Sequence, residues 1–160
     1  PSLLGLQVLF SSLFLWQMPH FFALNWLYRQ DYEQGGYCML SLNDPSGAKT
    51  AGACLEYSLY LSLLPPACWA TGVTSCMFPL ESVGFNGVLL LAAWRFYSHE
   101  QRGQAHARRL FLASLVYLPV FFACLIIHQR RPPAELGVAA TVEAEALEQV
   151  CPPPPPLPKP

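Results

Sequence analysis

Apolar residues in this chain gather into four long blocks with polar segments between them. The blocks run Leu3–Leu27, Ala51–Val73, Phe78–Tyr97 and Leu110–Ile127. Each approaches or exceeds the ~20 residues with which a helix spans a bilayer. A helix in a water-soluble core is rarely apolar on all sides for that length. The pattern predicts an all-α membrane protein with four transmembrane helices.

Four spans require three connections. The first, Tyr28 to Thr50, is long and polar, with Gly35, Gly36, Pro45 and Gly47 as turn formers. The second, around Thr74 to Met77, is short and uncharged, and the third, Ser98 to Arg109, is rich in Arg, His and Gln. Alternating spans put the first and third loops on one membrane face. Arg29, Lys49, Arg95, Arg102, Arg108 and Arg109 lie on that side, whereas only Arg130 and Arg131 lie near the other. Basic residues close to span ends set orientation, so the six-residue side faces the cytoplasm or its equivalent.

Composition agrees with this picture. Of the 160 residues, 53% are hydrophobic and 12% charged, half the ~25% of an average soluble domain. Mean hydropathy is +0.31. No nucleic-acid partner is expected. The chain opens at Pro1 directly into an apolar block without a visible signal or transit peptide, which reads as a piece of a longer protein. The six cysteines, Cys38, Cys54, Cys68, Cys76, Cys124 and Cys151, include no CxxC pair. They read as small hydrophobes without a metal or disulfide role.

Composition changes from Gln129 onward. Residues 1–130 form the transmembrane domain, and 131–160 read as a disordered Pro-rich tail. Pro132-Pro133 ends the last helix, Thr141 to Val150 can form one weak helix, and Pro152 to Pro156 adopts polyproline II. The terminal Pro-Leu-Pro-Lys suits either an SH3 ligand or a plain spacer.

Candidate chemistry concentrates around the first block. Trp16, Gln17 and His20 flank Pro19 inside it, and polar groups at membrane depth usually serve a site or a helix contact. Gln17 and His20 are three apart and share a helix face, with Trp16 one turn before His20. They form either a pocket wall facing substrate or an interhelical hydrogen bond. Pro19 removes a backbone hydrogen bond and should kink the helix. Beyond the block, Asp31 follows Arg29, with Tyr28, Tyr32 and Glu33 beside it. Such a carboxylate can hold Mg²⁺ together with phosphate oxygens, and the arginine fork can clamp the same diphosphate. The alternative is an ordinary surface ion pair. Gly35-Gly36 lets the chain turn back tightly. Arg95, Arg108 and Arg109, on the same face, either attract an anionic substrate or fix topology. His99 and His106 read as solvated loop residues. Asn86 should bind a neighbouring helix, and Glu56 and Glu81 lie near span ends.

Three segments together carry a resemblance. They are Trp16-Gln17-x-Pro19-His20-Phe21; Arg29-x-Asp31-Tyr32-x-x-Gly35-Gly36-Tyr37-x-Met39; and Arg95-Phe96-Tyr97 with Ala107-Arg108-Arg109-Leu110-Phe111 and Ser114-Leu115-x-Tyr117-Leu118-Pro119. Residues 1 to 130 resemble the C-terminal half of the protoheme IX farnesyltransferases (heme O synthases), within the intramembrane prenyltransferase superfamily. The four blocks would then be helices six to nine of a nine-helix bundle. The resemblance implies farnesyl transfer from farnesyl diphosphate to a protoheme vinyl group, with Mg²⁺ as divalent cofactor and heme O as product, in heme A synthesis for cytochrome c oxidase.

It also implies roles. Asp31 and Arg29 would be catalytic, Asp31 holding Mg²⁺ through the diphosphate, while His20, Gln17, Trp16, Tyr32, Tyr37, Arg95 and Arg108 would bind substrate. The setting implied is the mitochondrial inner membrane, with loops 28–50 and 98–109 in the matrix and the tail in the intermembrane space. Partners would be lipid, the two substrates, and either heme A pathway enzymes or a second copy. Other superfamily members carry two aspartates four apart here, whereas this chain has Leu27 four before Asp31, the single-aspartate form of heme O synthases. The other Asn/Asp-rich loop of such enzymes would lie upstream, so this segment alone should lack much of the metal site and be inactive. A prenyltransferase acting on a quinone precursor and a non-catalytic membrane protein are the competing readings.

Overall fold

The computed structural model describes residues 3–99 and 103–129. The expectations for the Pro-rich tail, for Arg102 and for Arg130 and Arg131 lie outside the described residues. Six helices follow in order: α1 (Leu3–Leu27), α2 (Arg29–Gln34), α3 (Ala48–Ser62), α4 (Leu64–Ala70), α5 (Met77–Ser98) and α6 (Gln104–His128). The described residues are all-α apart from an isolated antiparallel bridge between Thr74 and Gln129.

The first block becomes α1 with the bounds its hydropathy predicts. The helix runs through Pro19, which is buried and whose carbonyl accepts the Cys54 thiol at 3.8 Å. The second block does not form one span. Pro65 and Pro66 offer no N–H to the carbonyls of Leu61 and Ser62, so the ladder stops there. The Leu63 N–H turns instead to the Tyr60 carbonyl at 3.1 Å, and α4 restarts with Pro65 in its first turn. Proline is tolerated at that point because first-turn N–H groups have no helical partner anyway. The third loop is also shorter than predicted, since α6 begins at Gln104 and takes in Arg108 and Arg109.

Consecutive long helices are neighbours. α1 packs on α3 and α6, α5 packs on α3 and α6, and α4 fills in chiefly against α5. This closes a four-helix ring. At one end the Trp26 ring of α1 meets the Phe96 ring of α5 edge-on, with centroids 6.1 Å apart. At the other end His128 contacts Glu81 at 2.9 Å and its carbonyl accepts the Ser75 N–H at 3.0 Å. The loop before α3 and the loop before α6 therefore sit at the same end of the bundle.

Small residues line the interior: Ala23, Ala51, Ala93 and Ala107 are fully buried, among Leu61, Phe78, Leu89, Phe96, Leu110 and Phe121. Small side chains let helix backbones approach closely, as membrane bundles require. The buried hydroxyls of Ser12 and Ser58 are paired within their own helices, to the Leu9 carbonyl at 2.8 Å and to that of Cys54 at 2.7 Å. Tyr117 donates to Asn86 Oδ1 at 2.9 Å, the helix contact expected of Asn86.

The outer surface is the apolar one, with Phe10, Phe14, Leu59, Val83, Val88, Val116, Ile126 and Ile127 exposed. α5 and α6 are each long and apolar enough to cross a membrane. Only 28% and 22% of their apolar windows are buried among the described residues, unlike the mostly buried core helix of a water-soluble domain. α1 has the length but is diluted by Gln7, Ser11, Ser12, Gln17, His20 and Asn25. Cys38, Cys54, Cys68 and Cys124 carry free thiols. Cys76 is disulfide-bonded, which corrects the expectation of no disulfide.

Candidate functional site

The end of the bundle that carries α2 is organised around Trp26. This buried ring receives the Arg29 guanidinium 4.6 Å from its centroid, a favourable cation–π arrangement. Gly47 packs on the same ring: a Cβ at that position would stand 2.6 Å from Trp26 Cη2. Gly47 also has φ +70°, so glycine is required there both for space and for backbone conformation.

Asp44 stabilises this loop. It is buried, and its carboxylate accepts the Thr50 N–H at 2.8 Å, the Thr50 hydroxyl at 3.1 Å and the Ser46 hydroxyl at 3.2 Å. Burial alone would raise its pKa, but the Thr50 and Ser46 hydrogen bonds outweigh that and hold it below the ordinary carboxylate value. Asp44 thus caps the otherwise unpaired first-turn N–H groups of α3 from outside the helix. The sequence reading missed Asp44 and Trp26. The Asp-Pro-Ser-Gly run before an apolar block was a usable signal for the cap.

Asp31 stands in the first turn of α2, exposed. Among the described residues it makes no ion pair with Arg29, because the one pair within 4.0 Å joins His128 and Glu81. The surface-pair alternative is therefore not what the two residues form. α2 ends in a Schellman motif: Gly36, at φ +74°, donates to the Glu33 carbonyl at 3.1 Å, and Tyr37 to that of Tyr32 at 3.0 Å. This folds the Tyr37 ring edge-on to Tyr32, 6.0 Å between centroids. Tyr37 itself is 61% exposed, which leaves it open to a ligand.

Deeper in the bundle, by ~10 Å along α1 from its C-terminal end, His20 lies between two rings. Trp16 stacks on it at 4.7 Å and Phe111 of α6 at 4.8 Å. Its Nδ1 is 2.9 Å from Ser114 Oγ, and the Trp16 Nε1–H donates to the Ser114 carbonyl at 2.6 Å. The Ser114 hydroxyl already donates to the Phe111 carbonyl at 2.7 Å. The network therefore assigns the proton to Nδ1 and leaves the Nε2 lone pair available. The interhelical contact that was one of the two readings of this polar group is what Trp16 and His20 form. Gln17 is exposed and stands apart from it.

The basic residues divide. Arg95 of α5 and Arg109 of α6 line a crevice of about 210 Å³ with His106, Val88, Leu91, Ala92 and Ala113. Arg108 is exposed and does not line it. His99 and His106, expected as solvated loop residues, have their rings 4.3 Å apart and tilted by 33°, and His106 belongs to α6.

The arrangement supplies an exposed carboxylate, a fixed guanidinium and a histidine wall farther in. Among the described residues no three His, Cys, Asp or Glu side chains gather as a metal cage. Asp31 fits Mg²⁺ only in the form where one carboxylate is completed by phosphate oxygens and water.

No protein-family model matches the chain, and no solved structure does. Curated proteins do match. The mitochondrial protoheme IX farnesyltransferase of Arabidopsis thaliana is 39% identical over 149 residues, covering 89% of this chain and 34% of the relative. The mitochondrial protein of that name from Homo sapiens is 34% identical over 126 residues, 79% of this chain and 28% of the relative. That of the bacterium Solibacter usitatus is 33% identical over 127 residues, 75% of this chain and 40% of the relative. The chain thus spans 28% to 40% of the length of these relatives, and it is homologous to one part of them.

Proposed function

We propose that this chain forms part of a protoheme IX farnesyltransferase, making heme O from protoheme and farnesyl diphosphate in a mitochondrial inner membrane. The observation that carries the reading is the similarity itself. Proteins from a plant, a mammal and a bacterium that share this one name each match three quarters or more of the chain.

The geometry suits the chemistry. Farnesyl diphosphate has an anionic head and an apolar tail, so it needs cationic anchoring at the membrane surface and a greasy pocket below. Arg29, held over Trp26, offers a planar fork to the diphosphate oxygens. Asp31 would hold Mg²⁺ against the same group, and that ion would neutralise charge on the departing diphosphate. As the C1–O bond breaks, the electron pair leaves with diphosphate. The terminal vinyl carbon of protoheme captures the allylic cation. The cation left at the carbon next to the porphyrin would take up water and lose a proton to give the hydroxyalkyl group of heme O. Tyr32 and Tyr37 flank the anionic head. His20, braced by Trp16, Phe111 and Ser114, provides a wall with a free Nε2 toward the porphyrin or prenyl chain, and Gln17, exposed and apart from it, has no part in that wall. The bundle would exclude water while the allylic cation exists. Arg95 and Arg108 add positive potential at the same end, and heme A pathway enzymes or a second copy would be its protein partners.

The test is direct. Membranes bearing the full-length protein, given protoheme and farnesyl diphosphate, should form heme O. Absence of heme O, or prenylation of a quinone precursor instead, would contradict the proposal.

A further inference from the structure

The crevice between α5 and α6 draws none of its lining from α1, α2 or α3 and shares only Arg95 with the site just described. One part of its lining is aliphatic, from Val88, Leu91, Ala92 and Ala113, and the other is cationic, from Arg95, Arg109 and His106. Among the described residues, neither guanidinium has a carboxylate within 4.0 Å. His106 Nδ1 is buried without a hydrogen-bond partner, an uncompensated polar atom of the kind a ligand relieves. The cationic part also adjoins the first turns of α6, whose N-cap is Gly103, so the helix dipole adds positive potential there. Around the crevice the surface is apolar, with Val88 62%, Val116 64%, Leu112 50% and Trp94 54% exposed.

We infer that this crevice binds one anionic phospholipid, its phosphate on Arg95, Arg109 and His106 and an acyl chain along Val88, Leu91 and Ala113. Charge complementarity and position choose this occupant. The groove lies on the outward surface of the two helices that are apolar enough to cross a membrane, where lipid is the neighbour. Basic pockets between transmembrane helices on the positively biased side recruit anionic headgroups. The inference rests on α5 and α6 being membrane-embedded, not on the farnesyl-transfer reading.

Native mass spectrometry of the full-length protein in neutral detergent tests it, with phosphatidylglycerol and phosphatidylcholine offered in equal amounts. One phosphatidylglycerol should be retained in preference. Arg95→Gln with Arg109→Gln should lower that preference about thirtyfold, while Arg95→Lys with Arg109→Lys retains most of it. Arg108→Gln, a charge removed from outside the crevice, should leave it unchanged. Ala113→Phe, which fills the groove and keeps every charge, should also expel the lipid. Equal binding of the two lipids by the wild-type protein would overturn the proposal. So would an equal loss in Arg108→Gln, which would mean a diffuse surface potential, or displacement of the lipid by farnesyl diphosphate, which would make the crevice a substrate site. Heme O synthesis by the wild-type protein and by Ala113→Phe, a position outside the farnesyl-transfer site, reads the other proposal separately.

Discussion

His20 Nδ1 lies 2.9 Å from Ser114 Oγ, across the interface between α1 and α6. Because the Ser114 proton is spent on the Phe111 carbonyl, this single contact sets both the tautomer and the tilt of a ring clasped by Trp16 and Phe111. Ser114→Ala should cost about 0.6 kcal/mol, the average for interhelical hydrogen bonds in a bilayer. Denaturant titration of the full-length protein in micelles measures it. Heme O turnover should fall more than stability does, since the freed ring loses its defined orientation. Unchanged turnover would reduce the contact to helix packing.

Gly47 and Gly36 offer a matched pair. Both have positive φ, but a Cβ at Gly47 meets the Trp26 ring whereas one at Gly36 meets nothing within 4 Å. Gly36→Ala should cost about 1 to 2 kcal/mol, for backbone conformation alone. Gly47→Ala should cost about 1 to 3 kcal/mol beyond that from overpacking. Equal midpoint shifts for the two variants would show that Trp26 yields easily.

Asp44 gives the loop a pH dependence. Its folded-state pKa is lowered, so its contribution is complete at neutral pH and is lost as pH falls below the ordinary carboxylate value of ~4 toward the folded value. Asp44→Ala should remove about 1 kcal/mol at pH 7, typical of a lost helix cap, and flatten the acid side of the stability curve. If the variant and the wild-type protein lose stability in parallel from pH 5 to 3, Asp44 is not the titrating cap.

The orientation can be read with a native probe. Cys38 is a free, exposed thiol in the loop before α3. With that loop in the matrix, an impermeant maleimide should miss Cys38 in intact mitoplasts and label it after permeabilisation. A tag added after Pro160 should be digested by protease in the same mitoplasts. Labelling of Cys38 in intact mitoplasts would invert the topology.

Much of the scaffold was legible because hydropathy reports burial in lipid directly. α1 begins and ends where its apolar block does, and Asn86 pairs with a neighbouring helix as an intramembrane amide must. The break at Leu63 was missed although Pro65-Pro66 carries it, because total hydropathy conceals a missing N–H. What the pattern could not convey is tertiary. Nothing local says that Arg29 lies over Trp26 rather than against Asp31, or that Arg95 and Arg109 share a crevice which Arg108, one residue away, does not line. Those arrangements depend on how α1, α3, α5 and α6 close into a ring. The sequence therefore lists candidate residues, while their division into two separate groupings comes only from the packing.

The central claim is that the α2 end of this bundle handles diphosphate during farnesyl transfer to protoheme. The most direct measurement is heme O content, by chromatography and mass, of cells lacking their own heme O synthase and supplied with the full-length protein or its Asp31→Asn variant. The wild-type protein should restore heme O, and Asp31→Asn should lower turnover by about 10² to 10³, the usual cost of one charge-stabilising group, with membrane insertion intact. Undiminished heme O in the variant, or none from the wild-type protein, would contradict the account.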